Sequence, residues 1–175
     1  MKNMPTASTA PEGSQIASRL PGAYFHDAWT ISAAEPSLDA LDQFLRVAKK
    51  TPAWIDRLMR IRNRVVGWFG LKNLGGIAQI DPSVTASDYQ AGDHVGIFTL
   101  ISNAANEVLL GDSDKHLNVI VSVHKQADLV NGDAIITVTT VVHVHNWLGR
   151  LYMIPVAPAH KIIARSMVRA IGKRF

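Results

Sequence analysis

The period of the hydrophobic positions changes three times along the chain, and each change marks a different kind of element. Tyr24 to Ile31 reads as a first strand, with Tyr24, His26, Ala28 and Thr30 on one face and Phe25, Asp27, Trp29 and Ile31 on the other. From Ser37 to Lys50 the spacing becomes helical: Leu38, Leu41, Leu45 and Ala48 form a stripe that Ser37 can cap. Trp54 to Leu71 predicts a second helix. Its stripe is Trp54, Leu58, Ile61, Val65 and Phe69, with Ile55, Met59 and Val66 at the edge. Thr51-Pro52 supplies the start signal, and Gly67 and Gly70 weaken the far end. Residues 73–92, rich in Gly, Asp, Ser and Pro, read as loop.

The period then returns to two. Strands are expected over 94–102, 107–110, 114–126 and 135–146, joined by short turns, of which Asn131-Gly132-Asp133 is a hairpin signal. Sequential strands with short connections predict an antiparallel meander. One face of the long pair is Leu117, Val119, Val121, Val123, Val138, Thr140, Val142 and Val144, and should meet the helices. The other carries His116, Asn118, Ser122, His124, Thr137, Thr139, His143 and His145. It is expected to meet water or a second subunit, which admits a homodimer. Ala159, Ile163, Met167 and Ala170 then mark a closing helix from about Pro158 to Lys173. Residues 1–20 are small and polar and are expected to form a disordered tail before a single domain over 21–175.

The expected class is α+β: a curved antiparallel sheet around a long C-terminal helix, with two helices between the first and second strands. That element order resembles the helix-grip (START/Bet v 1-like) fold, in which an apolar cavity lies between sheet and helix. Residues 56–72, 107–123 and 155–171 go further, most specifically Arg62 to Leu71 and Gly111 to Leu117. They resemble an uncharacterised bacterial family, domain-of-unknown-function family 2867, over roughly residues 21–174. The resemblance implies no activity, substrate or catalytic set. Members of that family also occur behind dehydrogenase-like domains, which implies a dehydrogenase-like partner as one alternative. Fold alone does not give function.

Charge sharpens the picture. Between Arg46 and Lys72 there are eight Lys or Arg and one acid, Asp56; from Arg150 to Phe175 there are six bases and no acid. Two solvated helix faces are the plain reading, and a surface for nucleic acid or anionic lipid the sharper one. The sharper one is set aside here because no aromatic residues interleave with the exposed bases. The 175 residues contain no cysteine, no apolar run long enough to span a membrane and no apolar stretch near the start that resembles a signal peptide. A cytoplasmic location is the expectation.

Candidate chemistry begins with an arginine in the wrong place. Arg57, Arg60 and Arg64 share the polar side of the second helix, whereas Arg62 projects into the apolar stripe. A guanidinium cannot shed its charge, so an inward one needs a carboxylate or an anion. On the last helix, His160 likewise falls on the apolar side, opposite Lys161, Arg165 and Arg169. Glu107, Asp112, Asp114 and His116 cluster near one hairpin end. The leading expectation is non-catalytic binding of a small apolar or amphipathic ligand between sheet and last helix. Arg62, His160, Trp54, Met59, Glu107, Asp114 and His116 are its candidate ligand-binding residues. Trp29, Phe69, Phe98, Met153 and Met167 would join the core or lining. Three alternatives stand beside it: a buried Arg–carboxylate network, an enzyme using His160 or His116 for proton transfer with Arg62 as anion clamp, and an interaction module. No cofactor is expected, since no P-loop, GxGxxG or nucleophile elbow is present. His143-x-His145 has chelating spacing, but no acid shares its face, so no metal is assigned.

Overall fold

In the computed structural model of the protein, residues 4–67, 80, 83–128 and 133–174 are described. Seven antiparallel strands form one sheet in the order β1-β2-β7-β6-β5-β4-β3. They are β1 (Thr6–Ala7), β2 (Phe25–Ser32), β3 (His94–Val95), β4 (Phe98–Asn103), β5 (Glu107–Ser113), β6 (Leu117–Ala127) and β7 (Ala134–Val144). Helices α1 (Ala40–Ala48) and α2 (Ala53–Gly67) come between β2 and β3, and α3 (Trp147–Ile171) closes the chain. The class is α+β, as the element order implies. The two middle helices follow the second strand, not the first, because β1 adds a strand ahead of the one expected.

β6 and β7 are the spine, in register from Leu117 opposite Val144 to Ala127 opposite Ala134. β2 pairs on the outer side of β7, from Phe25 opposite Val142 to Ser32 opposite Ile135. The strand expected over 94–102 is instead a tight hairpin, with Gly96 at φ +61° between β3 and β4. β6 starts at Leu117 because Asp114 Oδ1 accepts from the backbone N–H of His116 (2.7 Å) and Leu117 (3.0 Å). Those bonds hold residues 114–116 in a turn.

Valine and leucine at alternate positions turn one sheet face toward the helices, as expected. Leu45 of α1 and Val168 of α3 join Ile31, Val108, Leu110, Val123 and Ile136 of the sheet in one buried cluster. A second cluster, Leu117, Val142 and Met153 with Phe25, Tyr152 and Val156, seats the N-terminal half of α3. Arg46 of α1 joins the two helices by donating to the carbonyls of Ile171 (2.7 Å) and Lys173 (2.8 Å). A cation suits the negative end of a helix.

Three expectations change. α3 begins at Trp147, eleven residues before Pro158, because Asn146 caps it and accepts from Gly149 N. Pro155 and Pro158 sit inside the helix, both exposed, so water can reach the carbonyls they leave free. Second, the described part of the segment expected to be a disordered tail is folded. β1 pairs with β2, and Ile16 is 0% exposed against Leu109, Ile120 and Val141. That segment therefore covers part of the sheet face expected to meet water or a subunit. Third, the described part of the α2 stripe does not face the core: Trp54 and Leu58 are each 40% exposed and Ile61 is 55% exposed, while the Val65 and Val66 side chains lie outside the described residues. Ile55, at the stripe's edge, is the buried one. Phe69, Gly70, Leu71 and the Asn131-Gly132 turn lie outside the described residues.

Candidate functional site

β2 presents Phe25, Asp27 and Trp29 on alternate positions, toward the face over which α3 lies. An acid between two aromatics on an inward face is costly unless it is paired. His160 supplies the partner: its Nε2 lies 3.3 Å from Asp27 Oδ1, and both side chains are largely covered. The imidazole also meets the Phe25 ring edge-on at 5.7 Å between centroids. Trp29 Nε1 donates to the other carboxylate oxygen of Asp27 at 3.1 Å. Burial by itself pushes the Asp27 carboxyl up, but the His160 bond and charge, the Trp29 bond and the nearby Lys161 outweigh it. The net result is a carboxyl held below its ordinary 3.8.

Cations line the same ridge. Lys161 Nζ stands 6.0 Å from the Phe25 ring centre, and the Arg165 guanidinium 5.8 Å from that of Trp29. Nearer the start of α3, Arg62 Nε donates to Tyr152 Oη at 2.9 Å, with its guanidinium carbon 5.5 Å from the Tyr152 ring centre. Arg62 Nη1 also donates to Asn63 Oδ1 at 2.9 Å. Tyr152, Val156 and His160 are spaced four apart and fall on one stripe of α3. Eight residues of helix separate the two polar ends by about 12 Å. Arg62 and His160 thus lie at opposite ends of an apolar step and not at one focus.

The other candidates go elsewhere. Glu107 is buried on the opposite sheet face, where its carboxylate accepts from Gln15 N (2.7 Å), Ile16 N (3.2 Å) and Ser122 Oγ (2.8 Å). It fastens the N-terminal segment. Asp114 fixes the β5–β6 turn. His116 is buried under the first turn of α3, its Nδ1 3.1 Å from Asn146 Oδ1 and 3.0 Å from Asn146 Nδ2, and its Nε2 without a hydrogen-bond partner. Trp54 faces outward, and Met59 is half-buried on α2. His143 of the His-x-His pair is engaged by the Arg19 carbonyl at 2.9 Å. Among the described residues no three His, Asp or Glu side chains are grouped to hold a metal ion. Asp27 is the site residue that site assignment from sequence missed. The signal was the period-two listing itself, which puts an acid between Phe25 and Trp29.

A carboxylate–imidazole pair can orient a ring, move a proton or, once charged, attract an anion. With Lys161 and Arg165 beside the pair and Arg62 at the far end, the ridge is hospitable to negative charge. The chain belongs to DUF2867, a family of proteins of unknown function. The match to that family runs over residues 19–167. Comparison with curated proteins found no match. Comparison with solved structures also found none. For this DUF2867 chain, function must therefore be argued from the ridge. No helix among the described residues is long and apolar enough to cross a membrane.

Proposed function

We propose that the protein binds a small amphipathic molecule with an anionic head, held against α3 on the helix side of the sheet. The observation that carries the reading is the single α3 stripe of Tyr152, Val156 and His160, polar at both ends and apolar between. Arg62 with Tyr152, or His160 with Asp27, would meet the head group. Phe25, Met153 and Val156 would meet the chain. The helix-grip (START/Bet v 1-like) placement belongs to the same proposal: a sheet backed by a long last helix supports a ligand between those layers. So does a cytoplasmic location, which the absence of cysteine supports. A medium-chain fatty acid is a suitable probe. Titrated into the full chain by calorimetry, it should bind one to one, and Arg62→Ala or His160→Ala should weaken it about tenfold through the lost charge-assisted bond. No heat with the wild type, or wild-type affinity in both variants, overturns the reading.

The Asp27–His160 pair favours one second reading, an enzyme on the same scaffold. Asp27 would orient the ring, leaving His160 to transfer a proton. His160→Ala would then abolish turnover while ligand binding persists. Loss of binding and turnover together would place His160 in the ligand site alone.

A further inference from the structure

Both exposed helices carry the same surface. The outward side of α2 has an apolar strip, Trp54, Leu58 and Ile61, flanked by Arg57, Arg60 and Arg64, all exposed. The one acid of α2, Asp56, falls on the inward side, with Oδ1 buried. On α3, Trp147 is 72% and Ile154 68% exposed, with Leu151 and Arg150 exposed beside them. The same outward side continues through Lys161, Ile162 and Arg165, and α3 has no acid at all. Tryptophans thus stand among exposed arginines, contrary to the expectation from sequence. The Arg62–Tyr152 bond joins the two helices at one point.

We propose that this two-helix face docks the protein on an anionic lipid surface, with α2 and α3 lying in the plane of the interface. Aromatic and aliphatic side chains would enter the headgroup boundary while arginines meet lipid phosphates and carboxylates. Charge decides against a second copy as the occupant. A two-fold contact sets a patch against itself, and a patch with six bases and no acid would oppose its own charge. Nucleic acid would answer the arginines but leave Leu151, Ile154 and Ile61 without an apolar partner. The inference is separable from the ligand reading: the face shares Lys161 and Arg165 with the ridge, but the residues substituted in its test lie outside the ridge.

The test is cosedimentation of the full chain with phosphatidylcholine vesicles, with and without phosphatidylserine. Binding should require phosphatidylserine and weaken as salt is raised. Arg57→Glu with Arg64→Glu should reduce it by about tenfold or more, since each basic residue near the surface is worth about a factor of five. Trp147→Ser with Ile154→Ser should reduce it similarly while changing the thermal midpoint little, because both side chains are mostly exposed. No sedimentation with anionic vesicles overturns the proposal, as does binding that neither pair of substitutions weakens. Self-association in sedimentation velocity that Trp147→Ser with Ile154→Ser abolishes, without vesicle binding, overturns it in favour of a second copy.

Discussion

α1 and α2 are neighbours in the chain, both amphipathic, and they end in opposite situations. α1 buries Leu41, Leu45, Val47 and Ala48 against the sheet and offers Arg46 to the end of α3. α2 buries Ile55 and holds Tyr152 through Arg62, while its clearest apolar stripe faces out. Periodicity shows that a helix has two sides; it does not say which side the rest of the chain covers. The α1 stripe has strands β5 and β6 beneath it. The described α2 stripe is flanked by the exposed Arg57, Arg60 and Arg64.

The difference predicts unequal responses to truncation. Leu45→Ala in α1 should cost about 2–5 kcal/mol, as core leucines do. Leu58→Ala in α2 should cost under about 1 kcal/mol, because its side chain already meets water. Urea unfolding of both variants measures this, and equal losses would mean that α2 is as buried as α1. Next in size is the N-terminal segment. Glu107→Ala removes one acceptor from three donors and should cost about 1–3 kcal/mol, with faster proteolysis before residue 20. If cleavage there does not accelerate, Glu107 is not what fastens that segment.

Two glycines extend the contrast. A Cβ at Gly149, in the first turn of α3, would lie 2.5 Å from the His116 carbonyl oxygen, whereas at Gly67 it would meet nothing. Gly149→Ala should therefore destabilise by about 1–3 kcal/mol. Gly67→Ala, at the end of α2, should be neutral or stabilise by up to about 1 kcal/mol. Thermal melts that rank them the other way would break the assignment of α3 as the seated helix and α2 as the open one.

The smallest effect is the pH dependence of the ridge. Asp27 has a folded pKa below its unfolded value of 3.8, so its contribution is full above that value and is lost as pH falls through the folded one. Asp27→Asn should lower the melting midpoint near neutral pH, and the gap from wild type should close below about pH 3.8. A gap that persists or widens in acid would show that Asp27 is not stabilised as a carboxylate.

The parts legible in the sequence were those with a strong local period. The β6–β7 spine follows from alternating valines, and its helix-facing side was readable residue by residue. The back cover was not, because Ile16 is a single apolar residue in a polar stretch and its anchor, Glu107, is 91 positions away. The start of α3 was hidden by Pro155 and Pro158, which ordinarily end or begin a helix. His160 was legible as covered from helical spacing alone, whereas Arg62 was placed inward on a stripe that faces out and is half-buried beside Tyr152 instead. Their partners Tyr152 and Asp27 were not, since pairing across 90 and 133 positions is set by tertiary packing.

The prolines of α3 fall between its two apolar seats, Met153 near the start and Val168 and Ile171 at the end. Neither supplies an N–H, so the carbonyls of Leu151 and Ile154 have no rung above them. A rod with two rungs missing at mid-span can follow an arched floor without lifting at either end. The middle of the longest helix is thereby its most pliant portion, and it is there, one turn before His160, that Val156 meets the sheet.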